Sequence, residues 1–162
     1  MDKTNAIRLL EARKIAYRVT EYDPAHAFHD AVEAAALMGV PVESVYKTLV
    51  VLRDTPGKTQ PILVIIPAQR QVDLKVLAKA IGEKRLRMAT QREAEQLTGL
   101  QVGGISALAV LNRGFEICLD ASAQSLERIH VSAGVRGIDI ELGVADLIDV
   151  TRAKVVQAAE TV

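Results

Sequence analysis

Two short runs, Thr48-Leu49-Val50-Val51-Leu52 and Ile62-Leu63-Val64-Ile65-Ile66, constrain this chain more than anything else in it. Both are apolar and rich in β-branched side chains, and neither alternates apolar with polar positions. A strand with one face in water alternates; a strand that does not is buried on both faces. The pair therefore predicts two central strands of a sheet that is covered on each side. Between them Arg53-Asp54-Thr55-Pro56-Gly57-Lys58 reads as a turn-rich connection. A length of 162 residues suffices for one such covered sheet, and no Pro/Gly/Ser linker divides the chain, so one domain over residues 1–162 is expected.

The flanking pattern supplies the cover. Thr4 is placed to cap a helix reaching about Lys14, with Ile7, Leu10 and Ile15 at helical spacing. A short strand over Tyr17–Tyr22 ends at Asp23-Pro24, and His26 to His29 reads as loop. Asp30 heads an Ala-rich helix over Ala31–Met38, closed by Gly39. Asp73 caps a helix ending at Gly82, Leu86 to Met88 is a brief strand, and Thr90 with Glu93 has capping-box spacing before a helix to Thr98. Further strands are expected at Phe115–Leu119, Arg128–Val131, Ile138–Leu142 and Ala153–Gln157, with a short helix at Val144–Leu147. Helices and strands mix without a βαβ rhythm, so the class is α+β or mixed α/β, a mixed central sheet flanked by helices.

Several functions are excluded early. Aromatics are 3% with no Trp, too few for a stacking platform on single-stranded nucleic acid. No segment reads as a membrane span or apolar signal, and a cytoplasmic protein is expected. There is no phosphate loop, no dinucleotide fingerprint and no basic helix-turn-helix, so neither a nucleotide cofactor nor stable DNA binding is expected. The single cysteine, Cys118, sits between Ile117 and Leu119 and reads as a core thiol rather than a nucleophile. His26 and His29 have ligand spacing, but two ligands do not make a metal site, and none is expected. His130 is read as a solvent-facing strand histidine.

Three groups keep a chemical reading open. Lys47 stands at the mouth of the first apolar strand, where a cation can clamp a phosphate or carboxylate; it can equally be a solvated strand-end lysine. The turn Gly103-Gly104-Ile105-Ser106 lets main chain approach a ligand and offers N–H groups to an oxyanion, or is simply a tight turn. Ser132, beside Ala133-Gly134, can bind substrate or close a turn on its own backbone.

The segments Tyr46-Lys47-Thr48-Leu49-Val50, Thr98-Gly99 with Val102-Gly103-Gly104-Ile105-Ser106, and Ile129-His130-Val131-Ser132-Ala133-Gly134-Val135-Arg136-Gly137-Ile138-Asp139-Ile140-Glu141 occur in that order. Together they resemble the YbaK/EbsC family, free-standing homologues of the editing domain inserted in bacterial prolyl-tRNA synthetases. The likeness runs from the first helix to about Val150. It implies a compact mixed α/β fold and hydrolysis of mischarged aminoacyl-tRNA, cysteinyl-tRNA(Pro) being the usual substrate of this branch. It also implies Lys47 as the key pocket residue, with the Gly103 and Gly104 main chain beside it. Tyr22, Ile105, Ser106, Ser132 and Asp139 become substrate-binding positions. No enzyme nucleophile is needed if the substrate's own thiol attacks its carbonyl and the protein supplies proximity and orientation.

The chain departs from the family pattern after Ser106. Ala107 stands where proline is usual and Ala109 lies in the usual glycine and basic stretch, while Ala133 replaces a glycine and Val135 a lysine. Losing the proline removes a rigid element from the pocket turn. These changes motivate a second reading, an Ala-, Ser- or Thr-ester deacylase that uses a bound water. A third is a non-catalytic module binding the tRNA 3′ end or a synthetase, with prolyl-tRNA synthetase the candidate partner.

Net charge is zero, but as a cancellation. Residues 70–92 hold seven basic against two acidic side chains, and residues 116–149 hold seven acidic against two basic. The basic block, with Lys84, Arg85 and Arg87 at its centre, is either a seat for a few tRNA phosphates or a solvated face.

Overall fold

A computed structural model describes residues 3–27 and 31–161 of the protein. The chain runs α1 (Asn5–Ala12), β1 (Tyr17–Glu21), α2 (Pro24–Ala27), α3 (Ala31–Met38), β2 (Tyr46–Arg53), β3 (Ile62–Pro67), α4 (Leu74–Ile81), β4 (Leu86–Met88), α5 (Gln91–Thr98), β5 (Glu116–Asp120), β6 (Arg128–Ser132), β7 (Ile138–Gly143), α6 (Val144–Thr151) and β8 (Lys154–Val156). Short 3₁₀ turns occupy Val42–Ser44, Leu108–Val110 and Ala121–Ser125.

The helix caps follow local chemistry. Thr4 Oγ accepts the N–H of Ile7, and Asp73 accepts that of Val76. Thr90 and Glu93 close a reciprocal capping box on α5. Gly82 and Gly99 end α4 and α5 in the left-handed conformation. The expectation of loop from His26 changes: His26 and Ala27 belong to a single helical turn over Pro24–Ala27. Proline suits a first helical position, and Asp23 Oδ1 accepts the N–H of Ala25. His29 and the expected cap Asp30 lie outside the described residues.

The strands form a three-stranded sheet in the order β1-β7-β6 and a five-stranded sheet in the order β4-β2-β3-β5-β8. The β3–β5 and β5–β8 pairs are parallel and the others antiparallel, so the five-stranded sheet is mixed. As their composition requires, β2 and β3 are inner strands, and every residue of β3 is buried. One core lies on the face of Val50, Leu63, Ile65 and Leu119, where α1 contributes Ile7 and Leu10 and the smaller sheet contributes Ile129, Val131 and Ile140. A second core covers the opposite face, where Val51, Ile62, Val64 and Ile66 pack with Leu77 of α4. Burying an aliphatic side chain of this size contributes about 1.5–3 kcal/mol relative to exposure.

Among the described residues the two sheets meet at one parallel bridge, Val45 to His130. That junction overturns the expectation for His130. The β6 strand is not a free edge: β7 flanks one side, while the start of β2 and the turn at Val42–Ser44 close the other. His130 is therefore 4% exposed instead of facing solvent. Its Nε2 lies 3.3 Å from Glu141 Oε2, its Nδ1 has no partner, and burial lowers its pKa.

Candidate active site

The bridge at Val45–His130 sets which side chains meet. Along β2, Val45, Lys47 and Leu49 share one face by strand alternation, and along β6 so do His130 and Ser132. Ser132 is opposite Asp139 across β6–β7, and Asp139 is opposite Thr20 across β7–β1. The Tyr22 N–H continues that ladder onto Gly137 O at 2.9 Å. Lys47, Ser132, Asp139 and Tyr22 therefore line one face, away from the core built on Ile129, Val131 and Ile140.

A gap in the sheet completes the site. On the outer edge of β2, β4 pairs over Val51–Arg53 and the Ala89 N–H donates to Val50 O at 3.0 Å. The same edge meets β6 at Val45. Between these two anchors no strand among the described residues pairs with β2. Since Val50 turns its carbonyl to this edge, alternation turns the N–H and C=O of Thr48 the same way. A cavity of about 400 Å³ opens here. Tyr22, Lys47, Gly103, Ile105, Ser132 and Asp139 all contribute to its lining. Small side chains, Ala34, Ala68, Ala89 and Ala94, provide the room, and Met88 to Gln91 form part of the wall.

The electrostatics are sparse and specific. Lys47 is half-buried, and desolvation alone lowers its pKa; no acidic side chain among the described residues pairs with it. Asp139 is 7% exposed, and burial pushes its carboxyl up to about 6. Tyr22 is raised first by burial and then by the Asp139 charge. Ser132 Oγ accepts the Gly134 N–H at 3.1 Å, so the serine does close its own turn, while its hydroxyl proton remains available.

The glycine turn divides its duties. The Gly104 N–H is engaged by Gln101 O at 2.8 Å, and Gly104 does not line the cavity. It serves packing instead: a Cβ there would sit 2.9 Å from both Arg136 N and Val135 C. Gly104→Ala is expected to destabilise the protein by about 1–3 kcal/mol, read as a lower urea midpoint at unchanged slope. Gly103, with φ +92, is the member that faces the cavity. Ser106 is buried and does not line it either; its Oγ and main-chain oxygen both receive the Ala109 N–H. Those bonds, and a φ of −61 at Ala107 that a proline ring would also impose, keep the turn ordered without the proline.

Outside the cavity, Cys118 is fully buried and its thiol is pushed up to about 11 by burial, so it is no nucleophile. Among the described residues no three His, Cys, Asp or Glu side chains are grouped as metal ligands. No helix of the described residues is long and apolar enough to cross a membrane. Lys84 and Arg85 are exposed just before β4. Arg87 is not a free cation: both its terminal nitrogens bond Glu93, at 2.9 and 2.8 Å, which holds that carboxyl down at about 2. Residue counting alone missed this pair, because Glu93 lies just beyond the basic block. Two further features had no signal in the sequence. The Tyr46 hydroxyl meets Ser122 Oγ at 2.7 Å, and Ser122 in turn bonds Asp120 Oδ2 at 2.5 Å. Burial alone would raise the Asp120 carboxyl, but bonds from Ser122 and the N–H groups of Ala159 and Ala158 outweigh it and hold it below its usual range.

The aminoacyl-tRNA editing domain matches residues 25–150. The chain is 34% identical over 152 residues, 94% of its length and 90% of the relative's, to a protein of Enterococcus faecalis assigned as the Cys-tRNA(Pro)/Cys-tRNA(Cys) deacylase EbsC. It is 27% identical over 154 residues, 93% of this chain and 91% of the other, to the prolyl-tRNA editing protein ProX of Acetoanaerobium sticklandii. A crystal structure assigned as a trans-editing enzyme for prolyl-tRNA synthetase superposes with TM-score 0.82 at 24% identity, over 99% of this chain and all of the other, which shows the shared fold. With the family model spanning most of its length and a relative 34% identical over 94% of it, the chain belongs to the aminoacyl-tRNA editing domain family.

Proposed function

We propose that this editing-family hydrolase deacylates cysteinyl-tRNA(Pro), with cleavage assisted by the substrate's own thiol. The observation that carries the reading is the cavity itself. It joins a cation with no acidic partner among the described residues, a buried carboxyl and open main-chain groups, and neither the buried Cys118 nor the turn-bound Ser132 is set up as a nucleophile. Such a pocket can hold and orient an ester, which suits a reaction whose nucleophile arrives with the substrate. Lys47 holds the terminal phosphate or ribose end, and Asp139 with Tyr22 and Ser132 takes the α-ammonium. The Gly103 N–H faces the ester carbonyl, beside the apolar wall of Ile105, and Gly104 and Ser106 support that turn from behind. The open edge at Thr48 offers one more donor and acceptor. The thiol attacks its own carbonyl carbon, forming a C–S bond as the ester C–O bond breaks; the tRNA leaves as its 3′-terminal alcohol with the thiol proton, and water opens the released cysteine thiolactone to free cysteine.

A panel of Cys-, Ala-, Ser- and Thr-tRNA(Pro) tests the assignment. The cysteinyl ester should be hydrolysed fastest. Cleavage of the alanyl but not the cysteinyl ester would overturn it in favour of a bound-water mechanism, the reading that the changes at Ala107, Ala109, Ala133 and Val135 motivate. Tight binding of every ester without turnover would favour a binding module. Prolyl-tRNA synthetase is the proposed source of the mischarged tRNA, and a rise in rate on its addition would support handover.

The basic block sharpens into a narrower footprint. Met88 lines the cavity, and Arg85 and Lys84 lie just before the start of the same strand, within roughly 10–13 Å of chain. Replacing Lys84 and Arg85 together should reduce the slope of log K against log salt by roughly 0.7–0.9 for each tRNA phosphate no longer neutralised. Replacing Arg87, already paired with Glu93, should add little; an equal contribution from all three would refute this division.

A further inference from the structure

We infer that Arg136 is a positioning residue that aims the Gly103 N–H at the substrate carbonyl. Arg136 lies in the loop between β6 and β7, and its Nε donates to Val102 O at 2.8 Å. That oxygen belongs to the peptide unit whose other end is the Gly103 N–H. The unit is planar and trans, so its C=O and N–H point in opposite directions. Holding the oxygen on the Arg136 side turns the N–H away from it, and Gly103 lines the cavity.

Glycine makes such a hold necessary. Gly103 has φ +92 and no side chain to block rotation of the preceding peptide, so the turn by itself leaves that plane free to flip. The structure restrains Val102 at both polar ends: Glu95 Oε2 accepts its N–H at 2.9 Å while Arg136 holds its carbonyl. The same loop is anchored further on. Gly104 packs directly on the main chain of Val135 and Arg136, and a Cβ at Gly137 would lie 2.7 Å from Tyr22 O. The Gly103 N–H itself donates to no acceptor among the described residues. A guanidinium on the carbonyl also polarises the peptide, which strengthens the N–H at its far end.

This inference rests on the deacylase reading of the cavity, and the two fail differently. If the wild-type protein cleaves no mischarged tRNA, the deacylase reading falls. If it is active, Arg136→Ala and Arg136→Lys test the positioning role by single-turnover and steady-state deacylation. Lysine keeps the charge but places a methylene where Nε donates. Both variants should lower kcat, and kcat/KM equally, on the order of tenfold to a hundredfold with KM little changed, as for an interaction made only in the transition state. Added guanidinium or methylguanidinium at sub-denaturing concentration should restore part of the Arg136→Ala rate and leave the wild-type rate unmoved. Wild-type kcat in either folded variant would overturn the inference. So would a loss confined to KM, or a folded Arg136→Ala that guanidinium does not rescue. If Arg136→Ala does not fold, the kcat of Arg136→Lys alone decides.

Discussion

Replacing Lys47 by alanine is expected to lower kcat/KM for deacylation about a hundredfold or more, the scale of removing one preorganised charged or oxyanion interaction. The same change should not destabilise the fold. Lys47 is half-buried, pairs with no acid among the described residues, and has its pKa lowered by desolvation, so its charged form is held at a cost in the folded state. Activity and stability should therefore separate: deacylation lost, urea midpoint unchanged or slightly raised. Lys47→Arg should recover only part of the rate, because a planar fork does not occupy the place of a compact ammonium. Full deacylation of Cys-tRNA(Pro) by Lys47→Ala would remove the lysine from the mechanism.

Asp139 should govern the pH dependence of both stability and activity. Its carboxyl rises from an ordinary value near 3.8 to about 6 on folding because it is buried. Between those values the folded state holds the proton and the unfolded chain releases it, so stability falls as pH rises through that window. The stabilisation present at low pH and gone above the folded pKa is about 3 kcal/mol. In Asp139→Asn that decline should vanish, which urea unfolding at a series of pH values between about 4 and 7 can read. Activity should run the opposite way, because only the carboxylate attracts the α-ammonium. The wild-type kcat/KM is expected to climb through pH about 6. That limb should be absent in Asp139→Asn, leaving a separate rise at higher pH as the substrate thiol ionises. A limb near the same pH that persists in the asparagine variant would assign it to another group.

Local pattern carried much of this molecule. Thr4, Asp73 and Thr90 cap their helices as their spacing requires, because a cap depends on residues only three apart. The absence of alternation in Ile62–Ile66 corresponds to a strand buried along its whole length. Cys118 between two apolar neighbours is the core thiol that its setting suggested. His130 shows where local reading stops. Its flanks predict a solvated face, but that face is closed by a strand and a turn distant in sequence. The glycine pair shows the same limit within one motif: composition treats Gly103 and Gly104 alike, whereas Gly104 gives its N–H to Gln101 O and packs away from the cavity, and Gly103 lines it.

By itself the amino-acid sequence determined a mixed sheet with two inner strands, one of them buried along its whole length, the helices that cover it, and the motifs that resemble an editing family. Tertiary structure alone decided that Lys47, Ser132, Asp139 and Tyr22 share a face, that β2 keeps an open edge beside Thr48, and that Arg87 is neutralised by Glu93. The physical reason is range. Periodicity and capping are settled within a few residues, but which face meets which depends on the register of strands far apart in the chain. Here the strand pairings within each sheet, together with the bridge between Val45 and His130 that joins the two sheets, bring those faces together.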